Sequence, residues 1–110
     1  MDTPWVKVGS AEELRPGQMK RVTAGGRRLL LCNADGTLHC VDEMCSHEDY
    51  SLHLGCIQEG RIKCSLHGSY FDLETGRPTV EPATEPIAVY PLRIEAGEVW
   101  VDPTNPIGSD

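Results

Sequence analysis

The sequence predicts an all-β fold. Apolar and polar residues alternate with a period of two over short runs, and turn-forming dipeptides separate those runs. The length, 110 residues, fits a single domain and leaves no room for a second core of useful size.

In chain order, residues 5–8 predict a first short strand. Residues 10–14 predict one helical turn, capped by Ser10 with Glu13 three residues on and ended by Pro16 and Gly17. Strands over 19–23 and 27–33 flank Gly25 and Gly26, and Asp35 with Gly36 leads into a strand over 38–42, so both connections read as hairpins. Short strands over 56–58 and 61–64 flank Glu59 and Gly60. Strands over 87–94 and 98–101 flank Ala96 and Gly97 as a last hairpin. From Asp102 on, two prolines and no periodic pattern predict an exposed tail, flexible over 103–110. The stretch 43–86 differs in kind. It holds three of the five cysteines, three of the four histidines, and Pro78, Pro82 and Pro86, and reads as a site-bearing insertion between two β halves.

Composition narrows the function. Ten basic against 17 acidic residues give a net charge of -7, which disfavours nucleic acid, since a phosphate backbone is held by Lys and Arg. An acidic surface instead steers toward basic partner patches. No apolar run approaches the roughly 18 residues of a membrane span. The start, with Asp2 and Pro4, lacks the basic and apolar regions of a secretion signal, so a cytoplasmic protein is expected. Five cysteines cannot all pair as disulfides, and a reducing compartment would keep them as thiols, which raises the question of metal ligation.

Cys45-Ser46-His47 recurs in altered form as Cys64-Ser65-Leu66-His67, so two loops each supply one thiol and one imidazole. Zinc fingers usually group cysteine with cysteine and histidine with histidine. A binuclear centre needs two ligands on each metal. If each loop gives its Cys to one iron and its His to the other, both loops grip one [2Fe-2S] cluster. A structural zinc site built from the same four residues is the alternative.

The pattern C-x-H, 16 intervening residues, then C-x-x-H resembles the Rieske iron-sulfur signature. The likeness extends to the preceding hairpins, to Gly60-x-x-x-Cys64, and to residues 76–90, similar to the proline loop that covers the cluster in this family. The resemblance implies a Rieske fold: an antiparallel β-sandwich carrying a small cluster-binding subdomain, over 43–86, of two ligand loops and a proline loop. It also implies that Cys45 and Cys64 bind an inner iron and that His47 and His67 bind an outer, solvent-side iron. Formally, two ferric ions, two sulfides and two thiolates sum to zero, against minus two with four thiolates, so histidine ligation eases electron uptake and raises the potential. Respiratory Rieske proteins join their loops by a disulfide; the matching positions here are Tyr50 and Leu66, which cannot form one. The resemblance implies that Ser69 is a hydroxyl donor toward the cluster, the alternative being a hydroxyl that serves its loop's backbone, whereas Phe71 stands in place of a tyrosine.

The remaining residues take quieter readings. Cys32, Cys40 and Cys56 are expected as buried inert thiols, and His39 and His53 as structural or surface groups. Tyr50, Tyr70 and Phe71 are expected to pack around the site and keep water from it. Gly68 is expected to let its loop approach the cluster closely. Glu48 and Asp49, beside His47, are either a docking patch or a solvated turn.

Small size and lack of extensions resemble the stand-alone ferredoxins of bacterial multicomponent aromatic-ring-hydroxylating dioxygenases. The resemblance implies a monomeric one-electron carrier with no catalytic residues. It would take electrons from a flavin-containing NAD(P)H ferredoxin reductase and pass them to a terminal Rieske non-haem iron oxygenase, docking transiently near His47 and His67. Oxygen activation needs a further mononuclear iron on two His and a carboxylate. Only His39 and His53 remain for such a site, on unrelated elements. The rivals are a Rieske-type small subunit of another redox system, such as nitrite reductase, and a zinc-stabilised interaction module.

Overall fold

A computed structural model describes residues 5–45, 51–64, 68–80, 85–104 and 106. Strands β1 (Val6–Ser10), β2 (Met19–Ala24), β3 (Arg27–Ala34) and β4 (Thr37–Asp42) come first, then β5 (Cys56–Gln58), β6 (Arg61–Lys63), β7 (Tyr70–Asp72) and β8 (Pro78–Val80). Last are β9 (Val89–Tyr90), β10 (Leu92–Glu95) and β11 (Glu98–Val101). Among the described residues these form three antiparallel sheets, ordered β1-β11-β10, β2-β3-β4-β9 and β5-β6-β7-β8.

The middle sheet is buried on both faces, and the run from Leu29 to Cys32 shows why. Side chains alternate across a strand. Leu29 and Leu31 join Cys40, Tyr90, Val99 and Val101 in the core under the β1-β11-β10 sheet. Leu30 and Cys32 join Val41, Ile62, Phe71 and Leu73 in the core under the β5–β8 sheet. A continuous apolar strand is the pattern expected of a strand with no solvent face.

Four hairpins turn on two residues that both have positive φ: Gly25-Gly26, Asp35-Gly36, Glu59-Gly60 and Ala96-Gly97. This is the type I′ geometry whose twist matches the flanking strands. The predicted cap is present: Ser10 and Glu13 form a capping box on a 3-10 turn, Ala11–Glu13. Exposed Glu13 is held below the usual carboxylate range by the Ser10 N–H and then by Lys20.

Three expectations need correction. The strand over 87–94 is two strands in two sheets, because Pro91 has no N–H to donate and the chain crosses from the middle sheet to the outer one there. Residues 70–72 and 78–80, not predicted as strands, complete the third sheet. The chain is not exposed from Asp102: Asp102 and Pro103 are buried, and Pro103 lies over Gly25. The Asp102 N–H donates to the Pro91 carbonyl, and its carboxylate accepts from the Thr104 N–H and hydroxyl. Residues 105 and 107–110 of the expected flexible tail lie outside the described residues.

Between β4 and β9 the chain builds the separate β5–β8 sheet before returning to β4. Val89 and Tyr90 return to pair with Val41 and Cys40, and Asp42 fastens the return. Its carboxylate accepts from the Ala88 N–H at 3.0 Å and from the Tyr90 hydroxyl at 2.7 Å.

Candidate metal centre

Two short loops leave one core, each opening on a buried cysteine. Cys45 is 5% exposed and Cys64 is 1% exposed, and both belong to the core with Leu52, Ile62, Phe71 and Leu73. The five cysteines are thiols, none in a disulfide.

The first loop is closed at its base. Met44 and Ser51 form an antiparallel bridge, and the Leu52 N–H donates to the Glu43 carbonyl at 2.7 Å. Glu43, itself buried, accepts the Ser51 hydroxyl at 2.8 Å and faces the Arg28 guanidinium at 3.9 Å. Ser51 then caps a second 3-10 turn, Leu52–Leu54, by accepting from the His53 N–H. A buried carboxylate is tolerated only when partnered, and these partners tie it to the far side of the loop.

The second loop is the end of the β6–β7 hairpin. Ile62 pairs with Phe71 and Lys63 with Tyr70, and the ladder runs on as the Cys64 N–H donates to the Ser69 carbonyl at 2.7 Å. The Gly68 N–H donates to the Cys64 carbonyl at 2.9 Å. Gly68 has φ of 76°, and among the described residues no atom lies within 4 Å of where its Cβ would be. Its glycine serves a left-handed turn. Ser69 is 1% exposed.

Of the five residues that the motif names, Cys45, Cys64 and Ser69 are buried, and His47 and His67 lie outside the described residues. So do Tyr50, Leu66, Glu48 and Asp49. Among the described residues no three His, Cys, Asp or Glu side chains converge as a metal site. Phe71 is fully buried in the core that holds the two cysteines, as expected of a group that keeps water out. Tyr70 takes the opposite face by strand alternation: its hydroxyl donates to Gln58, and its ring lies under Arg61.

Burial pushes the Cys40 thiol up to about 12 and the Cys32 thiol higher, so both are neutral packing groups, as predicted. Cys56 is exposed, contrary to expectation, because it lies on the outer face of β5 while Ile57 faces inward. His39 is half-buried on β4, and burial lowers its pKa. His53 is half-buried beside the first loop. The sequence reading missed Glu43, Ser51 and the close-packed Gly55 and Gly76, because a loop clasp joins residues whose proximity no local pattern encodes. Among the described residues no helix is long and apolar enough to cross a membrane.

The Rieske [2Fe-2S] domain family matches residues 4–91. The chain is 32% identical over 96 residues to the ferredoxin component of biphenyl 2,3-dioxygenase from Rhodococcus jostii, covering 87% of this chain and 90% of that one. The ferredoxin of carbazole 1,9a-dioxygenase from Nocardioides aromaticivorans superposes with a TM-score of 0.88 at 27% identity, over 93% of this chain and all of that one. A structure described as a complex of reduced oxygenase and oxidized ferredoxin in carbazole 1,9a-dioxygenase matches with a TM-score of 0.85 at 30% identity. That match covers 92% of this chain and 94% of the other. With two buried thiols opening two base-closed loops, and a family match over most of its length, this chain belongs to the Rieske [2Fe-2S] domain family and its cofactor is a Rieske-type [2Fe-2S] cluster.

Proposed function

We propose that this protein is a one-electron carrier that takes electrons from a flavin-dependent NAD(P)H ferredoxin reductase and delivers them to a terminal ring-hydroxylating oxygenase. One observation carries the reading: Cys45 and Cys64 are buried in one core at the first positions of two loops, each closed by a hydrogen-bonded ladder at its base. The coverage of ferredoxin components of dioxygenases at nearly full length supports the carrier role. The carrier is assigned to the cytoplasm, where a reducing environment keeps cysteines available as metal ligands.

In this reading Cys45 and Cys64 hold the inner iron and His47 and His67 the outer iron. The bound cluster supplies a one-electron redox centre. The chain does the rest. Leu52, Ile62, Phe71 and Leu73 exclude water on the thiolate side, and the Glu43–Ser51 clasp and the β6–β7 ladder hold the two loop bases in place. Ser69, buried between Gly68 and β7, is the residue that would offer a hydroxyl to the cluster. The histidines, as the solvent-side ligands, form the exit that a partner must approach.

Purified protein should be red-brown, with two irons and two acid-labile sulfides and a reduced-state EPR signal of mixed His and Cys ligation. Cys64→Ala and His67→Ala should each abolish that spectrum; a variant that keeps it refutes the ligand set. A colourless zinc protein would favour the interaction module. Reduction of a nitrite reductase but no oxygenase would reassign the partner.

A further inference from the structure

We infer that the cleft between the middle sheet and the β5–β8 sheet, at their turn ends, binds a lysine or arginine side chain presented by a partner protein. The cleft opens between the Asp35-Gly36 turn and the Glu59-Gly60 turn as a cavity of about 600 Å³. Pro16, Ala34 and Ile57 give it an apolar wall, and the exposed Asp35 and Glu59 line it as well. A second cavity of about 290 Å³ continues it past Glu59 and Gly60 to Asp72 and Glu74. Neither lining contains a lysine or an arginine. An aliphatic stem laid on apolar surface with its charged head among carboxylates is how these two side chains are accommodated.

The carboxylates outnumber the cations around them. Arg61 approaches Glu59 at 3.7 Å and lies across the ladder from Asp72. Setting both Arg61 and Lys63 against Glu59 and Asp72 still leaves Asp35 and Glu74, and among the described residues neither pairs with a lysine or arginine. His39 lines the second cavity from β4, and burial holds its pKa below the ordinary histidine value, so it adds no positive charge at neutral pH. The cleft thus shares the sign of the whole chain, whose net charge is -7. A bare metal ion fits less well, because among the described residues no three His, Cys, Asp or Glu side chains converge on one point.

The walls are set before a partner arrives. The buried Asn33 side chain donates to the Leu14 carbonyl at 2.9 Å and accepts the Gly36 N–H at 2.8 Å, and the Gly17 N–H donates to the Asn33 carbonyl at 2.8 Å. On the facing wall the Leu73 N–H donates to the Gly60 carbonyl at 3.0 Å. Little conformational entropy is left to lose on binding. Gly60 precedes β6 and Cys64 follows it, roughly 13 Å along the strand. A partner held in the cleft therefore leaves uncovered the end of the sheet that carries Cys64, which makes this a holding site separate from the electron exit.

A dye-labelled pentapeptide with lysines at alternate positions tests this on the intact holoprotein at low salt, with its glutamine counterpart as the neutral control. Fluorescence anisotropy should show the lysine peptide bound and the glutamine peptide free. Asp35→Asn/Glu74→Gln should weaken binding about tenfold. Glu95→Gln/Glu98→Gln removes the same charge from the outer β1-β11-β10 sheet and should leave the affinity nearly unchanged. Amide resonances of the oxidised protein should shift at Gly17, Ala34 and Gly60 and stay in place at Val99 and Val101. Visible spectrum and midpoint potential should be the same with and without peptide. Equal weakening by the two double variants, or shifts spread over the whole acidic surface, would show a general attraction of unlike charges and overturn the cleft. Absence of binding at low salt would overturn it too. None of these results touches the carrier role, because binding is read here without electron transfer.

Discussion

Phe71 stands where respiratory Rieske proteins carry a tyrosine, and it is fully buried in the core that contains Cys45 and Cys64. With that hydroxyl absent and no loop disulfide available, fewer dipoles stabilise the added electron. The midpoint potential is expected in the low part of the Rieske range, about -150 to 0 mV. Protein-film voltammetry should find Phe71→Tyr raised and Ser69→Ala lowered; a wild-type value near +300 mV, about the top of the range, would refute this. Tyr90 makes a second residue-scale test. Burial, with the hydrogen bond to Asp42 next, raises its pKa from 10.0 to about 12. A raised pKa in the folded state means that its contribution to stability is whole below pH 10 and is lost as pH rises through about 12. Thermal melts against pH should show that alkaline fall, and Tyr90→Phe should flatten it while lowering neutral-pH stability by about 1 kcal/mol.

At the scale of elements, the hairpin turns and the sheet contacts make opposite demands on small residues. Ala96 occupies the first position of a type I′ turn at φ 53°, where its Cβ crowds the backbone. Ala96→Gly should raise stability by up to about 1 kcal/mol in urea titrations, the relief of left-handed strain partly offset by greater freedom of the unfolded chain. Gly55 is the reverse case. It ends the second 3-10 turn against β6, and a Cβ there would fall onto the Lys63 carbonyl oxygen, one residue before Cys64. Gly55→Ala should cost about 2 kcal/mol or more and reduce the iron bound per chain, because the strand end that presents the second thiol must move. The four turn dipeptides and the Ser10 cap were legible in the sequence, since each is a local pattern of two to four residues. The clash at Gly55 was not, because its partner lies eight residues away across a loop.

Across the whole molecule, two cores sit on opposite faces of the middle sheet, and only one includes the thiols assigned to the cluster. Removing iron by chelation under reducing conditions should therefore loosen the β5–β8 sheet while sparing the β1-β11-β10 sheet. Amide hydrogen exchange should show protection lost around Ile62 and Phe71 and kept around Val99 and Val101, and uniform loss would mean that the cores unfold as one unit. The sequence by itself determined the all-β class, the hairpins at Gly25-Gly26, Asp35-Gly36, Glu59-Gly60 and Ala96-Gly97, and the paired C-x-H and C-x-x-H loops. Each of these is written in residues close together in the chain. Only the tertiary structure decided that Leu29 to Cys32 serve two cores at once and that Pro91 divides one apolar run between two sheets. It alone showed that Cys56 faces outward and that Glu43 clasps Ser51. Those facts depend on which surfaces meet after the insertion folds back on β4, and burial is a property of the assembled layers rather than of any stretch of sequence.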